Sequence, residues 1–266
     1  MKRYVVWGAV LLLAMVGCTK QETSGDLSLK KIKEKGTLVL GLDDAFPPMG
    51  YRNEQNEIVG YDIDLAREVA KRLGVQLVLQ PIDWNAKEQE LNTGKIDCIW
   101  NGFTITEERA KNILFTKPYL KNAQVVVVKK DAPYQKLEDL TGKTLGLQAG
   151  SSAAEALNAS GDFKKSLKQV VEFKDNLTAL MDLEIGGVDG VLMDRIVAND
   201  NIQRSGKAFR IILPGLAEEE FGIGFRKQDV ALRDAVEQAL LAMEKDGKLA
   251  EITTAWFGED ISILGK

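Results

Sequence analysis

The segments "LNTGKIDCIW" (residues 91–100) and "LEIGGVDGVL" (residues 183–192) follow one pattern. Each runs from a helical end through a glycine, Gly94 or Gly186, to a β-branched residue, an aspartate and an apolar run. A glycine past the last helical turn takes the left-handed conformation that closes a helix. The apolar residues after Asp97 and Asp189 then read as a buried strand. Two copies of one helix-to-strand return suggest two similar α/β lobes.

Working outward, the first copy sits in an alternation of strands and helices. "TLVLGL" (Thr37–Leu42) reads as a buried strand. Ile63, Leu65, Ala66, Val69, Ala70 and Leu73 then recur at helical spacing, and Gly74 stops that helix. A strand over 75–80, a helix over 85–94 and a strand over 96–100 complete the series. Around the second copy, strands are predicted at 123–130, 143–148 and 169–173. A helix opens at Ser152 between the last two, and another follows over 176–184. Ser152 and Glu155 have capping-box spacing. The tail supplies a strand over 221–225, a long amphipathic helix over 229–247 and a shorter helix near 249–258. No further strand is evident there. A final helix returning to the first lobe would make that lobe discontinuous, built from 31–121 and 218–266, with 122–217 as the second lobe.

The composition narrows the chemistry. Of 266 residues, 45% are hydrophobic and 28% charged, which is globular. The net charge is -4, so no basic footprint for nucleic acid exists. Histidine is absent, which removes the commonest general base and metal ligand. Cys18 and Cys98 are the only thiols, too few for a zinc cluster. Neither a metal nor a cofactor is expected.

Residues 1–17 read as an export leader: Lys2 and Arg3, a short apolar run, then Gly17 before Cys18. The run is too short to favour a spanning helix. "MVGC" resembles a lipobox, whose cysteine carries lipid, with Met15 departing from the usual leucine. Residues 18–30 then form a polar tether. Cys98 is left without a disulfide partner, so the core alone must hold the fold.

Polar and aromatic residues collect where strands end. Asp43 and Phe46 follow the first strand, Trp84 the next and Asn101 the third, while Asp194 ends the strand of the second copy. In open α/β sheets ligands bind beyond the carboxyl ends of strands. Thr106 is an N-cap candidate with Glu107 and Glu108 in the first turn. Arg109 falls near the third helical position, where the dipole disfavours a cation. It is either a surface partner of a glutamate or a bidentate receptor for a carboxylate. Gly150, Ser151 and Ser152 form a strand-to-helix turn suited to an anion or to plain capping. Asp194 is either an N-cap or the partner of an ammonium group.

Taken in order, "GLDDAFPPMGY" (41–51), "GYDIDLAREVAKRLG" (60–74), "KIDCIWNGFTITEERA" (95–110) and "FTKPYL" (115–120) resemble the extracellular solute-binding proteins of bacterial ABC importers, specifically the polar amino acid group. The likeness extends from about Gly36 to the C-terminal helix. It implies a periplasmic binding protein-like α/β fold: two lobes joined by two hinge strands, closing on ligand like a flytrap. Arg109 would hold the ligand α-carboxylate. Thr104 and the backbone of Asn101, Gly102 and Phe103 would complete that wall. Gly150, Ser151 and Ser152 would add contacts from the second lobe, and Asp194 would bind the α-ammonium. Phe46 and Trp84 would sandwich the side chain, with Asp43 at its far end.

Ala153 stands where basic amino acid binders often carry glutamine, and Asn101-Gly102 replaces a serine pair. Two aromatic faces favour a cationic side chain by about 1–2 kcal/mol when desolvated. Asp43 could equally accept from an amide, so a basic amino acid or glutamine is expected. The implied partners are the permease subunits of the importer, and the membrane only through the lipid. The protein is expected to be a monomer outside the cytoplasm, on the outer face of the cell membrane or in the periplasm. The competing reading on the same fold is a cyclohexadienyl dehydratase-like enzyme, with Asp43 or Asp194 as its acid.

Overall fold

A computed structural model describes residues 25–266. The expected leader, the lipidation site at Cys18 and most of the tether lie outside the described residues. Residues 28–30, expected in the tether, already lie in helix α1 (Ser28–Lys35). Ile32 is buried, and the Ser28 hydroxyl accepts from the backbone N–H of Leu232 at 3.1 Å. Residues 28–30 therefore belong to the folded body.

The first half follows the predicted alternation. Strand β1 (Thr37–Leu42) leads to a small antiparallel sheet of β2 (Ala45–Phe46), β3 (Gly50–Arg52) and β4 (Ile58–Val59). Then come α2 (Tyr61–Leu73), β5 (Gln76–Pro81), α3 (Lys87–Asn92), β6 (Cys98–Ile99), α4 (Glu107–Asn112) and β7 (Ile113–Phe115). Leu38, Leu40 and Leu42 are fully buried, each worth about 1.5–3 kcal/mol of apolar transfer. Helix α2 turns its apolar stripe inward and ends on left-handed Gly74.

The second half contains β8 (Leu120–Lys129), β9 (Thr144–Gln148), α5 (Ser152–Ala159), α6 (Asp162–Ser166), β10 (Gln169–Phe173), α7 (Asn176–Ile185), β11 (Gly190–Asp194), α8 (Arg195–Ser205) and β12 (Phe209–Phe221). The tail adds β13 (Gly224–Arg226), α9 (Val230–Lys245) and α10 (Lys248–Phe257).

Two five-stranded sheets result, in the orders β5-β1-β6-β13-β7 and β10-β9-β11-β8-β12. The chain passes between them twice, through 116–119 and 222–223. The long strands β8 and β12 pair antiparallel beside these crossings, with a bulge between Ile212 and Ala217. The predicted strand over 221–225 is broken: Phe221 closes one sheet and Gly224 opens its run in the other. Gly222 makes the passage, its N–H donating to the Phe103 carbonyl at 2.9 Å; a Cβ there would meet Ile105 at 2.8 Å. The last helices rejoin the first half, α9 packing on α1 and α2. In the same region Tyr61 Oη lies 3.1 Å from Thr253 Oγ1, and Trp256 donates to Asp64 at 2.9 Å.

Candidate functional site

The carboxyl ends of β1, β6, β9 and β11 bring the predicted residues together where the two halves meet. On the first half, Thr106 caps α4 by accepting the N–H of Arg109 at 3.1 Å, as the sequence suggested. The Arg109 guanidinium is 4% exposed and lies 4.8 Å from the centre of the fully buried Phe103 ring. One of its N–H groups donates to the Thr104 carbonyl at 3.0 Å. Phe103 therefore supports the guanidinium from beneath and packs edge-on to Trp84 at 5.7 Å. Gly102 has a left-handed φ of 54° and donates its N–H to Asp62 at 2.7 Å. Tyr119 also donates to that fully buried carboxyl, which burial pushes up to about 7. Asn101 accepts from the N–H of Asp43 at 3.1 Å, which ties the first and third strand ends together.

On the second half, the anion-suited turn is held differently from the capping box that the spacing suggested. Ser151 occupies the N-cap position of α5 but its hydroxyl donates back to the Gln148 carbonyl at 2.7 Å. Ser152 is the first helical residue, and Glu155 reaches across to Arg109, Nε to Oε1 at 2.9 Å. A counter-charge on the facing half outcompetes a local cap. Asp194 stands at the N-cap of α8, yet its side chain caps nothing. Its Oδ1 accepts from Asn122 at 2.5 Å and from Gln124 at 3.1 Å, two amides on β8. Burial, and then the neighbouring Glu219, push Asp194 up to about 8.

The halves touch through these groups. Thr104 Oγ1 lies 3.0 Å from Ser152 Oγ, and Gln124 donates to Ser152 at 3.2 Å. A connected path thus runs from Arg109 through Thr104, Ser152 and Gln124 to Asp194. Gln148 donates to Asp43 at 2.6 Å, and burial raises the Asp43 carboxyl. The Gly150 carbonyl accepts from Arg109 at 3.4 Å and from Lys87 at 2.8 Å. Lys87 is itself buried, lies 5.4 Å from the Trp84 ring centre, and is pulled down to about 8 by burial and then by Arg109. Phe46 is buried with its ring edge beside Gly102. At the rim, Arg204 donates to Tyr51 Oη at 2.6 Å, so the small sheet also meets α8.

Sequence reasoning missed Lys87, Asn122, Gln124, Gln148, Glu155 and Glu219. Asn122 and Gln124 carried a usable signal, since they are polar, two residues apart and directly precede the valine run of one strand, hence on one face. Lys87 and Glu155 looked like ordinary helix-surface charges. Among the described residues no cluster of His, Cys, Asp and Glu could hold a metal, and no helix is long and apolar enough to cross a membrane. Cys98 is free and buried in β6, where burial raises its thiol.

Residues 38–259 match the family described as bacterial extracellular solute-binding proteins, family 3. The L-cystine-binding protein TcyJ of Escherichia coli K12 is 30% identical over 264 residues, covering 98% of this chain and 97% of its own. A substrate-binding protein of an ABC uptake transporter from Streptococcus pneumoniae, solved with bound histidine, is 39% identical with a TM-score of 0.87. That match covers 90% of this chain and 99% of the other. The protein Tv2483, solved with L-arginine, is 35% identical with a TM-score of 0.87, over 91% and 99% of the two chains. By these names TcyJ and the Streptococcus pneumoniae protein are binding proteins, and Tv2483 holds an amino acid.

Proposed function

This chain belongs to the bacterial extracellular solute-binding proteins, family 3, amino acid-binding proteins of ABC transporters, and on that premise we propose that it captures a polar L-amino acid between its halves and presents it to a membrane permease. A basic amino acid or glutamine is the favoured ligand. The expected lobes, residues 31–121 with 218–266 and residues 122–217, are adjusted to 28–119 with 222–266 and to 120–221, because α1 starts at Ser28 and β8 and β12 carry the second sheet out to Leu120 and Phe221. One observation carries the proposal: the Arg109 guanidinium and the Asp194 carboxyl, which an arriving ammonium would ionise, are each 4% exposed and sit on facing halves within one hydrogen-bonded path. That is the arrangement a zwitterion demands.

Both groups are enclosed in this arrangement, so ligand enters when the halves separate about β8 and β12. The α-carboxylate goes to Arg109, to the Thr104 and Ser152 hydroxyls and to the turn at Gly150 and Ser151. The α-ammonium goes to Asp194. Phe103 holds the guanidinium in place, and Asn101 and Gly102 shape the wall. Phe46 and Trp84 take the side chain, with Asp43 and its partner Gln148 at the far end. Closure excludes water and strengthens each charged contact. The closed surface is the form the permease reads.

Arg109→Ala tests this directly. Calorimetry with histidine, arginine, glutamine and cystine should show affinity for the preferred ligand falling by about 3–4 kcal/mol, on the order of 10²–10³-fold. Unchanged affinity for all of them would refute the assignment. We also propose that residues 1–17 are a cleaved leader and that Cys18 carries the lipid which holds the protein at the outer face of the membrane. Cells fed a labelled fatty acid should incorporate label into the wild type and not into Cys18→Ala; equal labelling would exclude that anchor.

A further inference from the structure

Glu219 lies on β12, one of the two long strands that join the halves. A single carboxylate oxygen, Oε2, accepts from four side chains: Thr104 Oγ1 and Gln124 Nε2 at 3.0 Å, Asn122 Nδ2 at 3.2 Å and Ser152 Oγ at 3.3 Å. Register explains the convergence, because Glu219 pairs with Asn122 across the two strands and Ala217 pairs with Gln124. The same two amides donate to Asp194. Two carboxylates, Asp194 buried and Glu219 half-buried, therefore share neutral donors.

Neutral amides orient two like charges without cancelling them. Their mutual repulsion shows in Asp194, which holds its proton more tightly partly because Glu219 is near. A hinge tie alone needs no charge: glutamine would accept the same bonds through its carbonyl oxygen. There is also an unused acceptor, since Gln124 is fully buried and its Oε1 has no hydrogen-bond partner among the described residues. The cluster thus combines surplus negative charge with acceptors on three side chains. The group that fits is a primary ammonium, which brings one positive charge and three N–H donors.

We propose that Glu219 is a second ligand-binding carboxylate, which with Asp194 grips the α-ammonium of the amino acid and makes that ammonium obligatory. The proposal rests on the reading of Asp194 given above. It also assigns a role to Thr104 and Ser152 before ligand arrives. Their hydroxyls serve Glu219 while the cleft is empty and turn to the ligand carboxylate when the ammonium takes their place on Glu219. The hydroxyls exchange one carboxylate acceptor for another, and Glu219 exchanges neutral donors for a cation, so no donor or charge is left unpaired on binding.

The test is calorimetry with L-histidine and L-arginine, each beside its analogue lacking only the α-amino group, on the wild type, Glu219→Gln and Asp194→Asn. Glu219→Gln is expected to weaken the amino acids by about 10–100-fold. It should weaken the des-amino analogues much less, so the preference for the amino acid shrinks. A purely structural loss would lower both alike, and that result overturns the proposal. Unchanged amino acid affinity in Glu219→Gln with a large loss in Asp194→Asn overturns it too, while leaving the Asp194 reading intact. If Asp194→Asn also binds normally, the underlying reading fails with it. Should Glu219→Gln not fold, Glu219→Asp keeps the charge on a shorter arm; wild-type affinity and preference in that variant count against a direct contact.

Discussion

The two copies of the helix–glycine–aspartate return do the same job at the foot of each sheet and opposite jobs at its top. In the first half, the Asp97 N–H donates to the Val39 carbonyl at 2.7 Å and its carboxylate accepts the Val39 N–H at 2.8 Å. In the second, the Asp189 N–H donates to the Thr144 carbonyl at 2.8 Å and its carboxylate accepts the Thr144 N–H at 2.8 Å. Each aspartate thus clamps one residue of the neighbouring strand from both sides. The strand glycines differ in what they admit: a Cβ on Gly41 would fall 2.4 Å from Ile96, the β-branched residue before Asp97, whereas one on Gly146 would fall 2.9 Å from Phe173 of the next strand, with Val188 at an ordinary 3.4 Å. Beyond the strands the copies diverge. The first runs through Asn101–Thr104 to a short helix carrying a cation, and the second ends on an anion. The shared foot fixes two rigid sheets, and the different tops make their meeting face dipolar.

The largest effect should come from breaking the dipole at its acidic end. Asp194→Asn keeps the shape and removes the charge, so amino acid affinity should fall on the order of 10²-fold or more. Its pH dependence sharpens the test. In the ligand-free protein Asp194 is raised to about 8, so the folded state holds a proton the unfolded chain has released. That contribution to stability is complete below the ordinary carboxyl range and is lost as pH rises toward about 8. Asp62, raised to about 7, acts in the same direction, whereas Lys87, lowered to about 8, acts oppositely and only above that pH. The melting temperature of the ligand-free wild type should therefore fall as pH rises from about 5 to 8, and fall less in Asp194→Asn. Ligand binding that ionises Asp194 should tighten with pH across the same window, by up to about tenfold per unit. Affinity flat from pH 6 to 8 would contradict a proton on Asp194 before binding.

Breaking the shared foot should cost stability and spare binding. Asp97→Asn and Asp189→Asn each weaken a charge-assisted bond to a backbone N–H, worth about 1–3 kcal/mol. Asp97 should be the costlier, since it is more buried and also meets Lys35 at 3.1 Å and Arg226 at 3.9 Å. Urea unfolding should show that order, with ligand affinity held within about twofold for sites this remote. Equal costs would mean that the added cations contribute nothing. This floor was also the most legible feature. The repeat of Gly94-to-Trp100 in Gly186-to-Leu192, read as helix into strand, was enough to expect two lobes of one plan. Arg109, Thr106 and Asp194 were legible because strand ends and helix starts are marked by local residues. Glu155 and Glu219 were not, because what matters about them is their partner on another strand or on the facing half. Glu155 shows this well: three residues after Ser152 it has capping-box spacing, but the helix starts one residue earlier, with Ser151 at the N-cap, and Glu155 turns to Arg109 on the facing half.

The smallest effect should come from the contact that crosses the dipole before any ligand does. Glu155 reaches Arg109 from the second half, but its side chain is 35% exposed, and Arg109 Nε lacks an aligned acceptor despite the short distance. A half-solvated ion pair of that kind is worth about 0.2–1 kcal/mol. In the empty protein it occupies the cation intended for the ligand carboxylate, so it competes with binding while favouring closure. Glu155→Gln should accordingly raise amino acid affinity slightly, by no more than about fivefold, with faster association in stopped-flow fluorescence. It should also shift the ligand-free protein toward the open form, read as a larger radius in X-ray scattering. Weaker binding in this variant would mean that Glu155 holds Arg109 in position for the ligand, and that the basic top of the first lobe depends on the second even before the cleft is filled.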